Sequence, residues 1–468
     1  MQTELSGGFP RNLSYLLRRL DASIFKQKIV INGDKNEYKP NERVMVNFPM
    51  GRIIDCRSVV ATAKCVAGTG LHFPRGGLSS LIENLQITAN SRVIQSTQNY
   101  NFIWNCYADS CGYFSPEQEG KRIYENFDPS CAHTNEDGIA APVITNNCTV
   151  ITGNETKYFC VNNWLGFLSS SASCINLNDI GQLQMIITLA PNTAQWCGAG
   201  AAGTAVAASD YTISEFCLSM DTITFASSLY HDLVKSQLEG NGLRVGYNDY
   251  LISIGRLETK STANFTHTAQ FSTNSLDEVI ATFRHENYNT IGPLLIGDAT
   301  YSATLASIAG STKTLPEVVA NPLTNEGNHG CYNNSVYFQR SGGAIKSSSW
   351  YVNSQPFTVN STPIQIFNNT LQALDYANLD IASGGTHRNL TSGFYNKNFF
   401  VDILSLQNLS GDNNYWISGY GANSGVHQIQ YNFSFSGASV ETKVYPVLIG
   451  KVSKIMNIKI GRNIDIEE

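Results

Sequence analysis

Residues 198–203 read Gly-Ala-Gly-Ala-Ala-Gly, the spacing that lets a backbone cradle a pyrophosphate. A dinucleotide site also needs a parallel strand before the glycines and a helix after them. Here Pro191 interrupts, and alternating strand-like stretches lie on both sides, so the run reads as a loop. The eight histidines, His72, His133, His231, His267, His285, His329, His387 and His427, are dispersed. With no H-x-x-x-H or H-E-x-x-H, a zinc site would have to be gathered from distant loops. G-x-S-x-G and Walker A patterns are absent from the sequence. Glu117, Glu119 and Glu125 follow Pro116 and are the residue type a glycosidase pair requires. Nothing in the sequence fixes their separation, and the stretch reads as a solvated loop. The 11 cysteines run from Cys56 to Cys331 without a C-x-x-C pair, and the second half has one. That odd, uneven set fits buried thiols in a reducing compartment better than a disulfide framework. The expectation is therefore a protein with no catalytic, cofactor-binding or metal residues.

Composition points the same way. At 468 residues two domains are expected, and 42% hydrophobic residues can build sizeable cores. Only 15% are charged, and Asn, Ser, Thr and Gly fill the surface instead. The net charge of −6, an acidic tail (Asp465, Glu467, Glu468) and no long Lys/Arg block argue against coating nucleic acid. The opening MQTELSGGFP lacks the basic-then-apolar pattern of a secretory leader, and no run of 18 apolar residues exists. About ten N-x-[ST] sequons are present, a number this composition produces by chance.

The elements that would position any function are mostly strands. Ile82 to Ala89 and Arg92 to Gln95 read as a hairpin about Asn90-Ser91. Tyr100, Ile103, Trp104 and Tyr107 then form a helical stripe. Before this unit lie an arm at 1–24 and strands from Phe25, the first ending in the turn signal Asn32-Gly33. On the arm Leu13, Leu16, Leu17 and Leu20, flanked by Arg11, Arg18 and Arg19, make a short amphipathic helix. It either binds a neighbouring subunit, an inner protein or an anionic membrane surface, or folds back on its own domain. Strands continue at Arg43–Phe48, Ile53–Ala67, Tyr158–Phe167, Gln182–Leu189 and Tyr211–Phe225, the last with a bulge between Ile213 and Phe216. A helix from Ser228 links the halves, giving domains at 25–227 and 242–468 with a linker at 228–241.

The second half opens with strands at Leu243–Arg256 and Phe265–Phe271. Ser275 to Arg284 reads as a helix, with Ser275 and Glu278 as a capping box and Leu276, Val279, Ile280 and Phe283 as its stripe. Further on the first half is rebuilt. Trp350–Thr358 repeats Ile87–Gln95, with Asn353-Ser354 in place of Asn90-Ser91. A helix follows, capped by Thr362 and Gln365, started by Pro363 and striped by Ile364, Phe367, Leu371 and Leu374. Phe399–Leu406 then parallels Tyr158–Leu168, His427–Phe435 parallels Gln182–Leu189, and Val440–Ile460 parallels Tyr211–Phe225. Two strand-rich halves, each with a helix inserted, predict an all-β chain of two consecutive eight-stranded jelly-roll sandwiches.

Four stretches carry a resemblance: FPRGGLSSLIENLQITANSRVIQSTQNYN from Phe73, NNWLGFL from Asn162, FSTNSLDEVIATFR from Phe271 and ISGYGANSGVHQIQYNF from Ile417. In their order the chain resembles the double jelly-roll major capsid proteins of polinton-like viruses and virophages. The resemblance covers most of the chain from Phe25 and omits the arm and the loop from Ser115 to Thr156. It implies a homotrimer whose six sandwiches form a pseudo-hexagonal tile on the faces of an icosahedral shell. It further implies no catalysis, no cofactor, contacts to neighbouring capsomers, penton and minor capsid proteins, and in some relatives an inner membrane below. The competing expectation is a secreted β-sandwich carbohydrate-binding protein or glycosidase.

Overall fold

The structure is a computed structural model. It describes residues 24–69, 71–74, 76–110, 156–170, 174–197, 209–225, 242–286, 336–338, 345–373, 400–406, 419–421, 425–436 and 443–467, with isolated positions between these (235, 236, 238, 288, 289, 340 and 342). The arm residues Leu13, Leu16, Leu17, Arg18, Arg19 and Leu20 lie outside the described residues. So do the loops with Glu117 and Gly198, and most of the helix expected from Ser228.

Sixteen strands make the frame. The first half holds β1 (Ile24–Asn32), β2 (Arg43–Asn47), β3 (Val60–Val66), β4 (Ile82–Ala89), β5 (Arg92–Thr97), β6 (Thr156–Val161), β7 (Leu183–Leu189) and β8 (Thr212–Phe225). The second holds β9 (Leu243–Ile254), β10 (Asn264–Ser272), β11 (Ser275–His285), β12 (Ile345–Val352), β13 (Gln355–Ser361), β14 (Asp402–Ser405), β15 (Val426–Phe435) and β16 (Lys443–Lys459). Neighbours in the first half run β1-β8-β3-β6 and β2-β7-β4-β5. In the second they run β9-β16-β11-β14 and β10-β15-β12-β13. Each strand of the first half thus has a counterpart eight numbers on, in the same place. This is the jelly roll, built twice. Short strands extend the larger sheet of each half, and a C-terminal strand β17 (Asn463–Glu467) pairs with β16.

Alternation builds each sandwich. In β7, Leu183, Met185, Ile187 and Leu189 are buried while the residues between them are half-exposed. They face Ala61, Ala63 and Cys65 of β3 across the first core. The expected bulge in β8 is present: its register with β3 shifts between Ser214 and Cys217, and Glu215 takes a φ of 53°. Asn90-Ser91 and Asn353-Ser354 adopt positive φ at both positions (48° and 65°, 49° and 66°), the backbone of a tight type I′ hairpin. Helix α1 (Tyr100–Ser110) and helix α2 (Pro363–Ala373) each begin ten positions after the turn asparagine, 90 to 100 and 353 to 363. The N-terminus of α2 is closed as expected, with Gln365 Oε1 accepting the Thr362 N–H at 2.8 Å.

Three expectations are corrected. Ser275–Arg284 is not a helix; it is the central strand β11, between β16 and β14. All eleven of its residues are buried, so it shows no two-residue alternation, and its apolar positions matched a helical stripe instead. On α2 the buried face is Ile366 and Thr370, whereas Ile364 points to solvent. Thr370 sets that rotation: its hydroxyl donates to the Val401 carbonyl and accepts from the Ile403 N–H. Asn32-Gly33 does not make a tight hairpin, because β1 pairs with β8 rather than with the strand that follows it.

Candidate functional site: the seam between the two sandwiches

Helix α1 connects β5 to the rest of the first half, yet it belongs to both cores. Tyr100, Trp104 and Ala108, four residues apart, pack into the first core. Phe102, Ile103 and Cys106 pack into the second, against the sheet that contains β11. A helix buried on two sides explains why its polar residues Asn101 and Asn105 are also fully buried and bonded back to Ser80. Trp104 is fixed further by its indole N–H, which donates to the Asn163 carbonyl at 2.9 Å.

Polar bonds stitch β5 and α1 to the outer face of the second half's larger sheet. Thr97 donates to Asp249 Oδ1 at 3.1 Å, and Lys454 Nζ lies 3.3 Å from Asp249 Oδ2. Tyr247 donates its hydroxyl to the Ile94 carbonyl at 2.7 Å. Tyr107 donates to Glu278 Oε1 at 3.2 Å, and Lys451 stands 4.0 Å from the other Glu278 oxygen. Burial pushes the Glu278 carboxyl above its ordinary range, and Lys451 pulls it partly back. Arg92 bonds the Ile464 carbonyl and Asp465 of β17.

An arginine sits deep in this seam among aromatic rings. The Arg284 guanidinium lies 4.0 Å from the Tyr288 ring centroid, 4.3 Å from that of Tyr337 and 5.0 Å from that of Phe102. It donates to Asn99 Oδ1 at 3.2 Å. Tyr337 in turn donates its hydroxyl to Glu83 of the first half, and burial pushes that phenol up. A planar cation between aromatic faces suits a dry interface better than a lysine would.

Other buried titratable groups lie away from the seam pairs. The buried carboxylates Asp277 and Asp402 are held by hydroxyls, Ser275 and Ser453 for the first, Ser348 and Tyr431 for the second. Burial raises both. His267 and His427 are lowered by burial and lie on different strands. Among the described residues no three metal-ligating side chains come together, and no helix is long and apolar enough to cross a membrane. Sequence reasoning missed the seam residues Asp249, Glu278 and Arg284. The signal available was charged residues inside otherwise apolar strand stretches.

The geometry defines a protein of two consecutive jelly-roll sandwiches joined along a buried seam. No family model and no curated protein matches the chain. Solved structures do. PBCV-1 VP54, in a crystal structure fitted into a reconstruction of the virophage Sputnik, is 10% identical, covering 95% of this chain and 97% of its own with a TM-score of 0.58. A chain of the Sputnik virophage is 9% identical, covering 95% and 88%, with a TM-score of 0.51. The Faustovirus major capsid protein is 10% identical, covering 93% and 91%, with a TM-score of 0.50. The chain shares their double jelly-roll fold over nearly its whole length.

Proposed function

We propose that this chain is a major capsid protein that assembles as a homotrimer, each trimer presenting six sandwiches as a pseudo-hexagonal tile of an icosahedral shell. In that role it is structural rather than enzymatic and resides in the virion capsid. Its partners are copies of itself, neighbouring capsomers, and the penton and minor capsid proteins that close the shell. The arm at 1–24, with Leu13, Leu16, Leu17, Arg18, Arg19 and Leu20, binds a neighbouring subunit, an inner protein or an anionic membrane surface. Residues 25–227 and 242–468 are the two jelly rolls, and 228–241 link them.

The observation that carries the reading is the repetition of strand order in the four main sheets of two halves joined by a buried seam. Two equivalent units side by side let a threefold ring imitate a sixfold one. Full-length likeness to capsid chains supports it. Light scattering on the purified chain is the test: a particle of about 150 kDa, three times 51.2 kDa, is expected. A monomer at all concentrations, or one that binds sugar, would overturn the proposal in favour of a lectin or glycosidase.

A further inference from the structure

Two buried cations meet at the end of β11. Arg284 stands directly opposite Arg340 in an isolated antiparallel bridge. Arg284 is 2% exposed and Arg340 0%. Residues opposite each other in an antiparallel pair share a face, with Cβ atoms about 5 Å apart, and like charges there repel. Burial strengthens the repulsion, because little water screens it. Both arginines face α1. Arg284 lies over the Phe102 ring, and one turn further along the helix Cys106 is within hydrogen-bonding reach of Arg340 and feels the charge of both.

Arg284 uses one nitrogen, Nη1, on Asn99 Oδ1. Its Nε and Nη2 are buried and meet no hydrogen-bond acceptor among the described residues. The seam carboxylates are engaged elsewhere: Glu83 by Tyr337 and Asn101, Glu278 by Tyr107 and Lys451. Nε and Nη2 form the side-on edge of the guanidinium, whose parallel N–H groups match two oxygens of one oxyanion. The rings of Tyr288 and Tyr337 hold the guanidinium at 4.0 and 4.3 Å, so the direction of that edge is fixed. A buried donor pair without an acceptor is costly, and more so on a charged group.

We propose that the side-on edge of Arg284, with the Arg340 guanidinium beside it, binds a tetrahedral oxyanion of the inorganic phosphate type in the seam. An ion with more than one negative charge answers two cations, and its several oxygens let one pair take the Arg284 edge while another faces Arg340. The ligand is a small free ion rather than the end of a polymer, because the donor atoms are buried beneath α1. It is taken up as the two sandwiches close on each other, and it ties β11 to the helix of the other half. The proposal stands independently of the capsid role.

The test uses the full-length chain and inorganic phosphate at millimolar concentration, with chloride holding the ionic strength constant. The thermal midpoint of the parent should rise with each tenfold step in phosphate, as for any ligand that binds only the folded state. If the ion is already held, the midpoint stays level and the denatured protein releases a phosphate or sulfate per chain. Arg284→Lys keeps the charge and removes the fork, so the phosphate needed for the same rise should be at least about tenfold higher. General exclusion of phosphate from the surface acts on parent and variant alike, so the difference between them reads the site. Cys106→Asp does not depend on that variant folding. It places a carboxylate beside both arginines, so it should melt above the parent in phosphate-free buffer and lose the response. A parent that neither responds to phosphate nor releases an oxyanion would overturn the site. So would an Arg284→Lys response equal to the parent's, or a Cys106→Asp protein that melts lower and still responds.

Discussion

Asn353 and Gln428 are joined by two hydrogen bonds of 2.8 Å, the Asn353 backbone N–H donating to the Gln428 carbonyl and the Gln428 N–H donating to Asn353 Oδ1. Asn90 makes the same pair with Gln182, at 3.0 and 3.2 Å. Each asparagine thereby holds its tight turn against the next strand of the sheet, and each does so with a φ near 49°. Asparagine suits both tasks, because it tolerates the left-handed region and carries an oxygen at the right reach. Asn353→Ala should lose about 2 kcal/mol of unfolding free energy, from backbone strain and the missing acceptor. Asn90→Ala should lose at least as much, since Asn90 Nδ2 also donates to the Ile180 and Arg462 carbonyls. Urea midpoints of the two variants against the parent give the answer, and unchanged midpoints would refute the turn's role.

The glycines that precede these strands separate two causes of cost. Gly181 and Gly425 both have positive φ, 86° and 66°. A Cβ on Gly181 would lie 2.2 Å from Asn90 Oδ1, whereas one on Gly425 would be 3.4 Å from Asn274 Oδ1. Gly425→Ala should show the backbone penalty alone, about 1 kcal/mol. Gly181→Ala should cost clearly more, because it also displaces the Asn90 side chain. Equal shifts in the two denaturation curves would show that the contact with Asn90 is immaterial.

Phe283 lies on the inner face of β11, with ring centroids 5.3 Å from Phe400, 4.9 Å from Phe433 and 5.5 Å from Phe435. Phe283→Ala should remove about 3–5 kcal/mol, the usual cost of an aromatic cavity. Ile364→Ala, at an exposed site, should change the stability of the fold by no more than about 0.5 kcal/mol. The sequence places Phe283 on the stripe of a helix at Ser275–Arg284 and Ile364 on the stripe of the separate helix from Pro363. A loss no larger for Phe283→Ala than for Ile364→Ala in thermal melts would contradict the place of Phe283 in the core.

The contrast shows what could be read in advance. Where one face of a strand is buried and the other wet, as in β7, the alternation is written in the residues, and so are the turns at Asn90-Ser91 and Asn353-Ser354 and the Thr362 cap. The repeat was legible because Asn-Ser, helix and strand order recur together. β11 was not legible, since its second face is covered by α1, a helix more than 160 positions earlier in the chain. A strand buried on both sides loses its two-residue period. The seam residues Asp249, Glu278 and Arg284 were hidden for the same reason: their partners come from the other half. Leu13 and its neighbours on the arm lie outside the described residues.

Arg284 should not be replaceable by lysine. Its guanidinium is stacked by Tyr288 and Tyr337 while bonding Asn99, and an ammonium cannot keep both the stack and the bond. Arg284→Lys should lower stability by about 2–3 kcal/mol, the size of a desolvated cation–π contact with its hydrogen bond. The loss should be cooperative across both sandwiches, because the group sits where they meet. A thermal midpoint equal to the parent's would contradict the stacking.

Asp402 contributes to the pH dependence, beside Asp277 and Glu278, which burial also raises. It is fully buried, accepts from Ser348 Oγ at 2.7 Å and Tyr431 OH at 2.9 Å, and burial raises its pKa. A carboxyl whose folded pKa exceeds the unfolded value binds its proton more tightly when folded. Its favourable contribution is complete below the unfolded value, about 3.9, and is lost as pH rises through the folded one. Asp402→Asn keeps an acceptor oxygen without the charge, so it should resemble the parent at acid pH and gain on it as pH rises toward 7. Melting curves of both proteins across that interval measure the gap. A gap that stays constant would mean that Asp402 titrates alike in the folded and unfolded chain, and that its hydroxyl partners offset the whole cost of burying its charge.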